Sequence, residues 1–298
     1  MLLLYLEIVR PYQRQVSSID YIERSGGFVA AEPWGPDWLR SILGEKRMQG
    51  FDRVTQIQLY NNQSPELYRL RDLRDARELI LDKSRVTDEG ISSLEGMRHL
   101  EKLYLSDSPV TNRGIRSLQK FNQLEILDLS GTRITNEGLN HLQNLTELNV
   151  LILDSTLIAG EHHFNVLAEL PRLMTLSLHA TQISDQALDD LSQSRSLVGM
   201  TLSDTAITDV GIRSLLNILT LQLLVLDGTG IKNQSMTEIA KHPNLSSLSL
   251  ENTRITHSGL QELAKLKSLK FLSIKGTDVS RKDIEKLRKQ LPACRIIH

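Results

Sequence analysis

Three residues in this sequence have the types of a hydrolytic triad and lie at a nearly constant spacing. Asp154, His179 and Ser203 are separated by 25 and 24 residues. A carboxylate that orients an imidazole, which in turn takes the proton of a hydroxyl, is how serine hydrolases activate their nucleophile. No part of the sequence predicts an oxyanion hole or the sharp turn of a nucleophile elbow. We therefore predict that the protein is not an enzyme. In a milder interpretation Asp154 favours the protonated form of His179 and makes a pH-sensitive contact.

Metal and cofactor sites find less support. Glu161, His162 and His163 fall where one stretch of the chain carries an insertion, and adjacent residues on a helix do not converge on one ion. We interpret them as a surface bulge. Cys294 is the only cysteine, so the chain has no disulfide framework and no thiolate cluster. The sequence predicts no metal ion and no cofactor.

The spacing of the triad candidates comes from a repeat that positions them. Leu124, Leu127 and Leu129 have the spacing of a strand, and Leu139 and Leu142 have that of a helix. The pattern recurs at intervals of 24 residues, or 25 for the turn that begins at Leu148, with starts at Ala76, Leu100, Leu124, Leu148, Leu173, Leu197, Leu221, Leu245 and Leu269. Such a period is typical of a leucine-rich repeat solenoid. We predict an α/β fold, a right-handed horseshoe with a parallel sheet on its concave face and helices on its convex face.

Columns of like residues are predicted to hold successive turns together. Leucines such as Leu79 and Leu127 should point inward from the strands. Hydroxyls from Ser84 to Thr277 recur where the chain leaves each strand, and we expect them to satisfy backbone groups of the neighbouring turn. Thr-Asp and Thr-Asn pairs should cap the outer helices, and these are Thr87-Asp88, Thr111-Asn112, Thr135-Asn136 and Thr208-Asp209.

Residues 1–53 lack the repeat and are predicted to cap it, whereas residues 54–298 form the solenoid, with a capping helix from about residue 280. In the cap, Gly26 and Gly27 should end a first helix, and Asp37 should be the N-cap of a second. Trp34 and Trp38 are expected to form the core of the cap. Ser64, followed by proline, is expected to cap a short helix.

Composition narrows the classes of function. The formal net charge of −1 argues against nucleic-acid binding, which needs an excess of Lys and Arg. The start of the chain, MLLLYLEIVR, is apolar over only about nine residues, whereas a membrane-spanning helix needs roughly 20. We expect a cytoplasmic monomer. The alternative is a longer N-terminus that anchors or exports the protein.

Residues 76–298 resemble the bacterial leucine-rich repeat family with the unit L-x-x-L-x-L-x-x-T-x-I-T-D-x-G-L-x-x-L-x-x-L. The stretches LEKLYLSDSPVTNRGIRSLQKF and LSSLSLENTRITHSGLQELAKL are close to that unit. The repeats are also similar to those of F-box-type ubiquitin-ligase receptors. The resemblance implies a binding scaffold and brings no catalytic residues with it.

Recognition is expected on side chains that point outward from successive strands, which stack about 4.8 Å apart. An apolar patch should form from Ile80, Tyr104, Ile126, Val150 and Ile152. We expect Tyr104 and Ile152 to anchor a partner, and the acidic residues to select a basic or polar one. The predicted partner-binding residues are Ile80, Tyr104, Asp128, Ile152, Asp154, His179, Asp204, Asp227 and Glu251.

The sequence thus predicts a non-catalytic scaffold that binds a protein partner on the concave face of the repeats. One alternative is the substrate-recognition subunit of a ubiquitin-ligase-like adaptor, which a second partner docking on residues 11–53 would indicate. The other is a hydrolase that uses Asp154, His179 and Ser203, which labelling of Ser203 by a serine-reactive probe would show.

The register of the repeat can be tested at Leu127. A buried leucine contributes about 1.5–3 kcal/mol, and an unpaired carboxylate in its place adds a desolvation penalty. We expect Leu127→Asp to melt the array cooperatively, as followed by circular dichroism during heating. Unchanged thermal unfolding would show that the register is wrong.

Overall fold

The computed structural model describes residues 9–63, 65–160 and 163–298. Its contacts divide the chain into two compact units, Met1–Arg133 and Ile134–His298. Within each unit, short strands of a parallel sheet alternate with short helices. The α/β repeat architecture that the leucine pattern predicts is confirmed in both units.

The first unit contains the non-repeating segment and the first turns of the repeat. Its strands are β1 (Phe28–Glu32), β2 (Arg53–Gln58), β3 (Glu78–Ile80), β4 (Lys102–Tyr104) and β5 (Ile126–Asp128). Its α-helices are Arg10–Arg24, Asp37–Leu43, Glu45–Met48, Asp88–Ser92 and Asn112–Ser117, and its 3-10 helices are Leu67–Leu70 and Leu118–Lys120. Strand β1 is antiparallel to β2, and the strands from β2 to β5 are parallel neighbours in chain order.

The non-repeating segment covers the open edge of β2 with β1. Gly26 has φ +75° just after the first helix, a left-handed conformation that suits glycine. A side chain on Gly27 would overlap the carbonyl of Gln58, so the chain can approach the sheet closely only with glycine there. These contacts protect an edge that would otherwise expose unpaired backbone groups. The domain boundary at residue 53 stays a prediction.

Two expectations for this segment are wrong. Trp34 and Trp38 do not form a core, because their side chains are 47% and 64% exposed. The buried residues of the segment are instead Ile19, Ile22 and Met48. Asp37 is the first residue of its helix, and Pro36 occupies the N-cap position. Ser64, the other expected N-cap, lies outside the described residues.

The second unit consists of repeats and a final helix. The strands of its main sheet are parallel neighbours in the order β6 (Val150–Ile152), β8 (Thr175–Ser177), β10 (Gly199–Thr201), β11 (Leu223–Val225), β12 (Ser247–Ser249), β13 (Phe271–Ser273) and β14 (Arg295–Ile297). A small second sheet pairs β7 (Ala159–Gly160) with β9 (Gln182–Ile183). The helices are Asn136–Leu139, the 3-10 helix Asn140–Leu142, Asn165–Ala168, Asp185–Leu191, Ile212–Leu215, Asn233–Ile239, His257–Leu263 and Arg281–Gln290.

The predicted inward column forms the core of both units. Parallel pairing places its residues directly opposite one another, for example Leu103 opposite Leu127 and Leu224 opposite Leu248. Its members are all buried: Leu79, Leu103, Leu127, Leu151, Leu176, Met200, Leu224, Leu248 and Leu272. Each turn therefore completes the apolar contacts of the next turn within its unit.

The hydroxyl column is present, but it works differently from the prediction. The side chains of Thr132 and Thr181 donate to the carbonyls of Leu129 and Leu178 at 2.6 Å, each within its own turn. Ser84 is different, because it donates to Leu59 in the preceding turn at 2.6 Å. The column thus closes the bend of each turn, and other side chains join neighbouring turns.

Acidic and amide side chains at the helix starts provide that connection. Asp88 Oδ1 accepts the backbone N–H of Thr111 at 2.9 Å, and its Oδ2 accepts the Thr111 hydroxyl at 2.6 Å. In the second unit Asp185 makes the same bonds to Thr208 at 2.7 and 2.6 Å. Asn233 likewise accepts the backbone N–H of Thr256 at 2.9 Å. An aspartate or asparagine at the start of one helix therefore also fixes the backbone of the next turn.

The capping threonines follow the prediction only in part. Thr87 accepts the backbone N–H of Gly90 at 3.2 Å, and Thr111 accepts that of Arg113 at 3.3 Å, both as N-caps. Thr208 accepts the N–H of Val210 at 3.3 Å, but the following helix begins only at Ile212. The expected N-cap role of Thr208 is therefore wrong.

His242 is a buried titratable residue in the second unit, at a position where other turns have Ile218 or Leu266. Its Nε2 lies 3.0 Å from the carbonyl oxygen of Ile218, and the backbone N–H of Asn244 lies 3.4 Å from its Nδ1. A neutral ring protonated on Nε2 satisfies both contacts. Burial lowers the pKa of His242, and the bond to the Ile218 carbonyl opposes this shift.

This lowered pKa predicts loss of stability at acidic pH. Below about pH 6.5 the unfolded chain takes up a proton that the folded ring resists, so the contribution of His242 is complete above that pH and falls as the pH decreases. We expect the melting temperature to fall less between about pH 7.5 and pH 5 for His242→Leu than for wild type. His99→Gln, which changes an exposed histidine, should retain the wild-type dependence. Equal slopes for wild type and His242→Leu would contradict the assignment.

Candidate functional site

We call the outward side chains of the parallel strands, together with the residues that directly follow each strand, the strand face. In the first unit the pairing of β3, β4 and β5 places Ile80 beside Tyr104 and Tyr104 beside Asp128. All three are half-buried, so each combines a packed stem with an accessible end. The structure thus brings three of the predicted binding residues into direct register.

Tyr104 lies among acidic side chains. Asp128 is its neighbour on β5, and Glu78 and Asp82 lie before and after Ile80 on the other side. The pKa of Tyr104 is raised, mainly because the phenol is partly desolvated, and also because of the negative charges of Glu78, Asp128 and Asp82. Lys102 offsets part of this charge, with its Nζ 3.7 Å from Glu78. The local field therefore favours a cation close to the ring.

Some of these carboxylates also hold the chain in place. Asp82 Oδ1 accepts the backbone N–H of Ser106 at 3.0 Å and the Ser106 hydroxyl at 2.8 Å, which connects adjacent turns. Asp128 Oδ1 accepts the corresponding groups of Ser130 in its own turn at 2.9 and 2.5 Å. The acidic side chains of the strand face are thus fixed in orientation, which reduces the entropy lost when they bind a ligand.

The same arrangement recurs in the second unit. Asp154 Oδ1 accepts the backbone N–H of His179 at 2.9 Å and the hydroxyl of Ser177 at 2.6 Å. Asp227 Oδ1 accepts the backbone N–H of Glu251 at 2.7 Å. Glu251 in turn accepts the hydroxyl of Ser273, and the Nζ of Lys275 lies 3.9 Å from Glu251. These predicted charge selectors therefore bridge turns as well as face solvent.

The proposed triad is not connected as a catalytic relay. Asp154 binds the backbone of His179, and the imidazole Nδ1 instead lies 3.5 Å from Oδ2 of Asp204. Ser203 is buried, with 7% of its surface exposed. The expectation that Asp154 is the charge partner of the His179 ring is wrong, because the ring pairs with Asp204. The geometry gives no support to the hydrolase alternative.

The apolar members of the strand face divide between the units. Ile80, Tyr104 and Ile126 belong to the first unit, and Val150 and Ile152 to the second, and all are half-buried. In the second unit Leu223 is 40% exposed at the start of β11, next to Gly199 in the register. Leu223 is not among the predicted binding residues. It could have been found by reading the outward column one position before the strand centre.

Two other predicted features, the insertion at residues 161–163 and the apolar start of the chain, are described only in part. Glu161 and His162 lie outside the described residues, and His163 has φ +73° with its Nδ1 3.2 Å from Asn140 Nδ2. Most of MLLLYLEIVR, residues 1–8, also lies outside them. In the described part of the chain, no helix has the length and apolar character needed to cross a lipid bilayer.

Comparisons with known proteins agree with the repeat pattern. The family model described as leucine rich repeat matches residues 96–118 and 122–140. These two stretches are thus similar to leucine-rich repeats, and the structure has the α/β repeat fold that such repeats form. No curated protein matches the sequence significantly.

Three solved structures are similar to this chain to different extents. An internalin (inlC2) from Listeria monocytogenes is 25% identical, with a TM-score of 0.52 over 72% of this chain and 84% of that chain. Another internalin (inlF) from the same organism is 18% identical, with a TM-score of 0.47 over 88% and 93%. The PEPR1-AtPEP1 structure is 16% identical, with a TM-score of 0.50 over 83% of this chain and 35% of that chain. The internalin (inlC2) and PEPR1-AtPEP1 structures support the leucine-rich repeat fold.

The structural role of Asp154 can be separated from its charge. Asp154→Ala leaves the N–H of His179 and the hydroxyl of Ser177 without their acceptor, and we expect a loss of about 1–3 kcal/mol in unfolding free energy. Asp154→Asn retains a side-chain oxygen and should cost less. Urea denaturation of both variants measures the difference. Equal stability of Asp154→Ala and wild type would show that the bridge between turns contributes nothing.

Proposed function

We propose that the strand face of the leucine-rich repeats binds a protein partner and that Tyr104 is the anchor in the first unit. The observation that carries this proposal is the register of Ile80, Tyr104 and Asp128. It combines an aliphatic side chain, an aromatic ring and a carboxylate on one surface. Partly buried aromatic side chains of this kind dominate the energy of protein interfaces.

The partner should place a lysine or arginine at Tyr104. A cation above the ring gains cation–π attraction, and the surrounding carboxylates add charge complementarity. Burial raises the pKa of Tyr104, and the charges of Glu78, Asp128 and Asp82 raise it further, so their negative potential reaches the phenol. A positively charged side chain would be stabilised by that same potential.

In the second unit we propose a separate contact area of the same chemistry. The hydrogen bonds of Asp154 and Asp227 use Oδ1, so each carboxylate keeps its charge while its orientation is fixed. Ile152 in β6 and Leu223 in β11 supply apolar surface on the outward side of the strands that Asp154 and Asp227 follow. His179 and Asp204, paired at 3.5 Å, and Glu251 complete the predicted set.

Binding is favoured over catalysis because Asp154, His179 and Ser203 are not connected as a carboxylate, base and nucleophile. The His179 ring contacts a carboxylate that follows β10, and Ser203 is buried. The acidic side chains make hydrogen bonds that fix the backbone, which suits a rigid recognition surface. The protein is therefore proposed to act as a non-catalytic scaffold.

The test is selection of binding peptides from a displayed random library on the immobilised protein. We expect selected peptides to be rich in Lys or Arg next to apolar residues, and Tyr104→Ala to raise their Kd by roughly 30-fold. Tyr68→Ala is the matched control, because Tyr68 is 50% exposed in the helix Leu67–Leu70 and lies off the strand face. Isothermal titration calorimetry gives the Kd of each folded variant. If Tyr104→Ala and Tyr68→Ala bind alike, the anchor lies elsewhere.

A further inference from the structure

The first unit has a cleft at its N-terminal segment that no pattern in the sequence predicts. Its volume is about 660 Å³, and it lies between the start of the helix Arg10–Arg24, the loop at Trp34, residues 50–53 and residues 72–75. None of these residues belongs to the strand face around Tyr104. The cleft is large enough to accept several side chains of a peptide.

Aromatic rings form one wall of the cleft and are held in place. The ring centroids of Tyr12 and Phe51 lie 4.7 Å apart. A Cβ on Gly50 would overlap the ring of Tyr12, so glycine is what allows this close approach. The backbone N–H of Trp34 donates to Asp52 Oδ1 at 3.0 Å. The wall is therefore preformed, which lowers the entropic cost of binding.

The indole of Trp34 is the accessible part of that wall. Its side chain is 47% exposed although it lines the cleft. Asp52, which holds the backbone of Trp34, is itself ion-paired with Arg40. The backbone of Trp34 is thus fixed, whereas its indole ring is accessible and can stack against an aromatic ring of a ligand.

Two arginines give the cleft its charge. Arg14 is paired with Asp72 at 3.2 Å. Arg53 and Arg74 line the cleft and are exposed, and neither has an ion-pair partner within 4.0 Å among residues 9–63, 65–160 and 163–298. With Asp75 included, the lining remains positively charged. Guanidinium groups bind carboxylates through paired N–H donors.

We propose that this cleft binds an acidic peptide segment that carries an aromatic side chain. The aromatic side chain packs against Trp34, Tyr12 and Phe51, and carboxylates of the segment bind Arg53 and Arg74. The charge of the ligand is thus opposite to that proposed for the strand face. The two surfaces can select different segments of partner proteins, and the cleft does not depend on the function of the strand face.

The two tryptophans of the chain allow a direct measurement. In the full-length Trp38→Phe variant, Trp34 is the only tryptophan, and its emission reports on the cleft. We expect a saturable change on titration with the peptide acetyl-Glu-Phe-Glu-amide. The double variant Arg53→Gln/Arg74→Gln in this background should raise the Kd at least roughly tenfold, because it removes charge-assisted hydrogen bonds. Arg24→Gln/Arg98→Gln changes exposed arginines outside the cleft lining and should leave the Kd unchanged.

Comparison peptides and a strand-face variant make the result specific. Acetyl-Glu-Ala-Glu-amide and acetyl-Lys-Phe-Lys-amide should bind more weakly, since each lacks one of the two required features. Tyr104→Ala should bind the acidic peptide normally, so failure of the strand-face proposal does not affect this test. Circular dichroism confirms folding of each variant. The absence of a saturable signal, an equal Kd for the lysine peptide, or an unaffected Arg53→Gln/Arg74→Gln variant would overturn the proposal.

Discussion

The structure depends on one constraint: no turn of the repeat can form all its backbone hydrogen bonds and bury its apolar side chains without a neighbouring turn. A single strand of three residues, such as β5 or β12, has neither enough hydrogen bonds nor enough apolar contact to be stable alone. Within each unit, the strand before and the strand after provide both. The inward leucine column supplies the apolar term and the parallel ladder supplies the hydrogen bonds. A change at one inward position therefore affects at least two turns.

Acidic side chains carry a second part of this constraint. Asp88 and Asp185 connect consecutive turns at the helix starts, and Asp82 and Asp154 do so after the strands. Charged acceptors make stronger hydrogen bonds than neutral ones, and these groups stay close to solvent, which limits their desolvation. The strand face is therefore acidic for a structural reason before any partner is considered. Its charge alone is weak evidence for function, whereas the placement of Tyr104 among these carboxylates needs an additional explanation.

The sequence predicts the structure best where the turns of the repeat can be aligned with one another. Nine aligned turns made the inward column visible, and Leu127 and its equivalents are buried as expected. The hydroxyl column was visible too, but its hydrogen-bond partner was not. A threonine at the end of a strand can reach its own turn or the neighbouring one, and only the backbone geometry of the bend decides between them. The same applies to His179, whose ring could pair with a carboxylate on either neighbouring turn and contacts Asp204.

The N-terminal segment contains no repeated turns that could be compared, and its core differs from the predicted one. The sequence predicts that Trp34 and Trp38 form the core of the cap, but both are exposed. In the structure small and aliphatic residues fill that core, with Ile22 and Met48 buried, and a helix of seven residues leaves Trp38 on its outer side. The cleft beside Trp34 arises from residues that are distant in sequence, such as Tyr12, Phe51 and Arg74. No local pattern encodes their meeting.

Differences in residue type between equivalent positions of successive turns help to locate the binding surface. The inward column is leucine at nearly every turn, with Met200 as its exception, because a fixed volume must be filled. The residue that follows the inward leucine in each strand points outward, and its type varies widely from turn to turn. This outward column consists of Ile80, Tyr104, Asp128, Ile152, Ser177, Thr201, Val225, Ser249 and Ser273. Neighbouring turns place little restriction on an outward side chain, so packing does not select its type. An aromatic ring at Tyr104, where serine is accommodated in other turns, is not required by the fold. Because packing does not explain Tyr104, its presence is better explained by a role in binding.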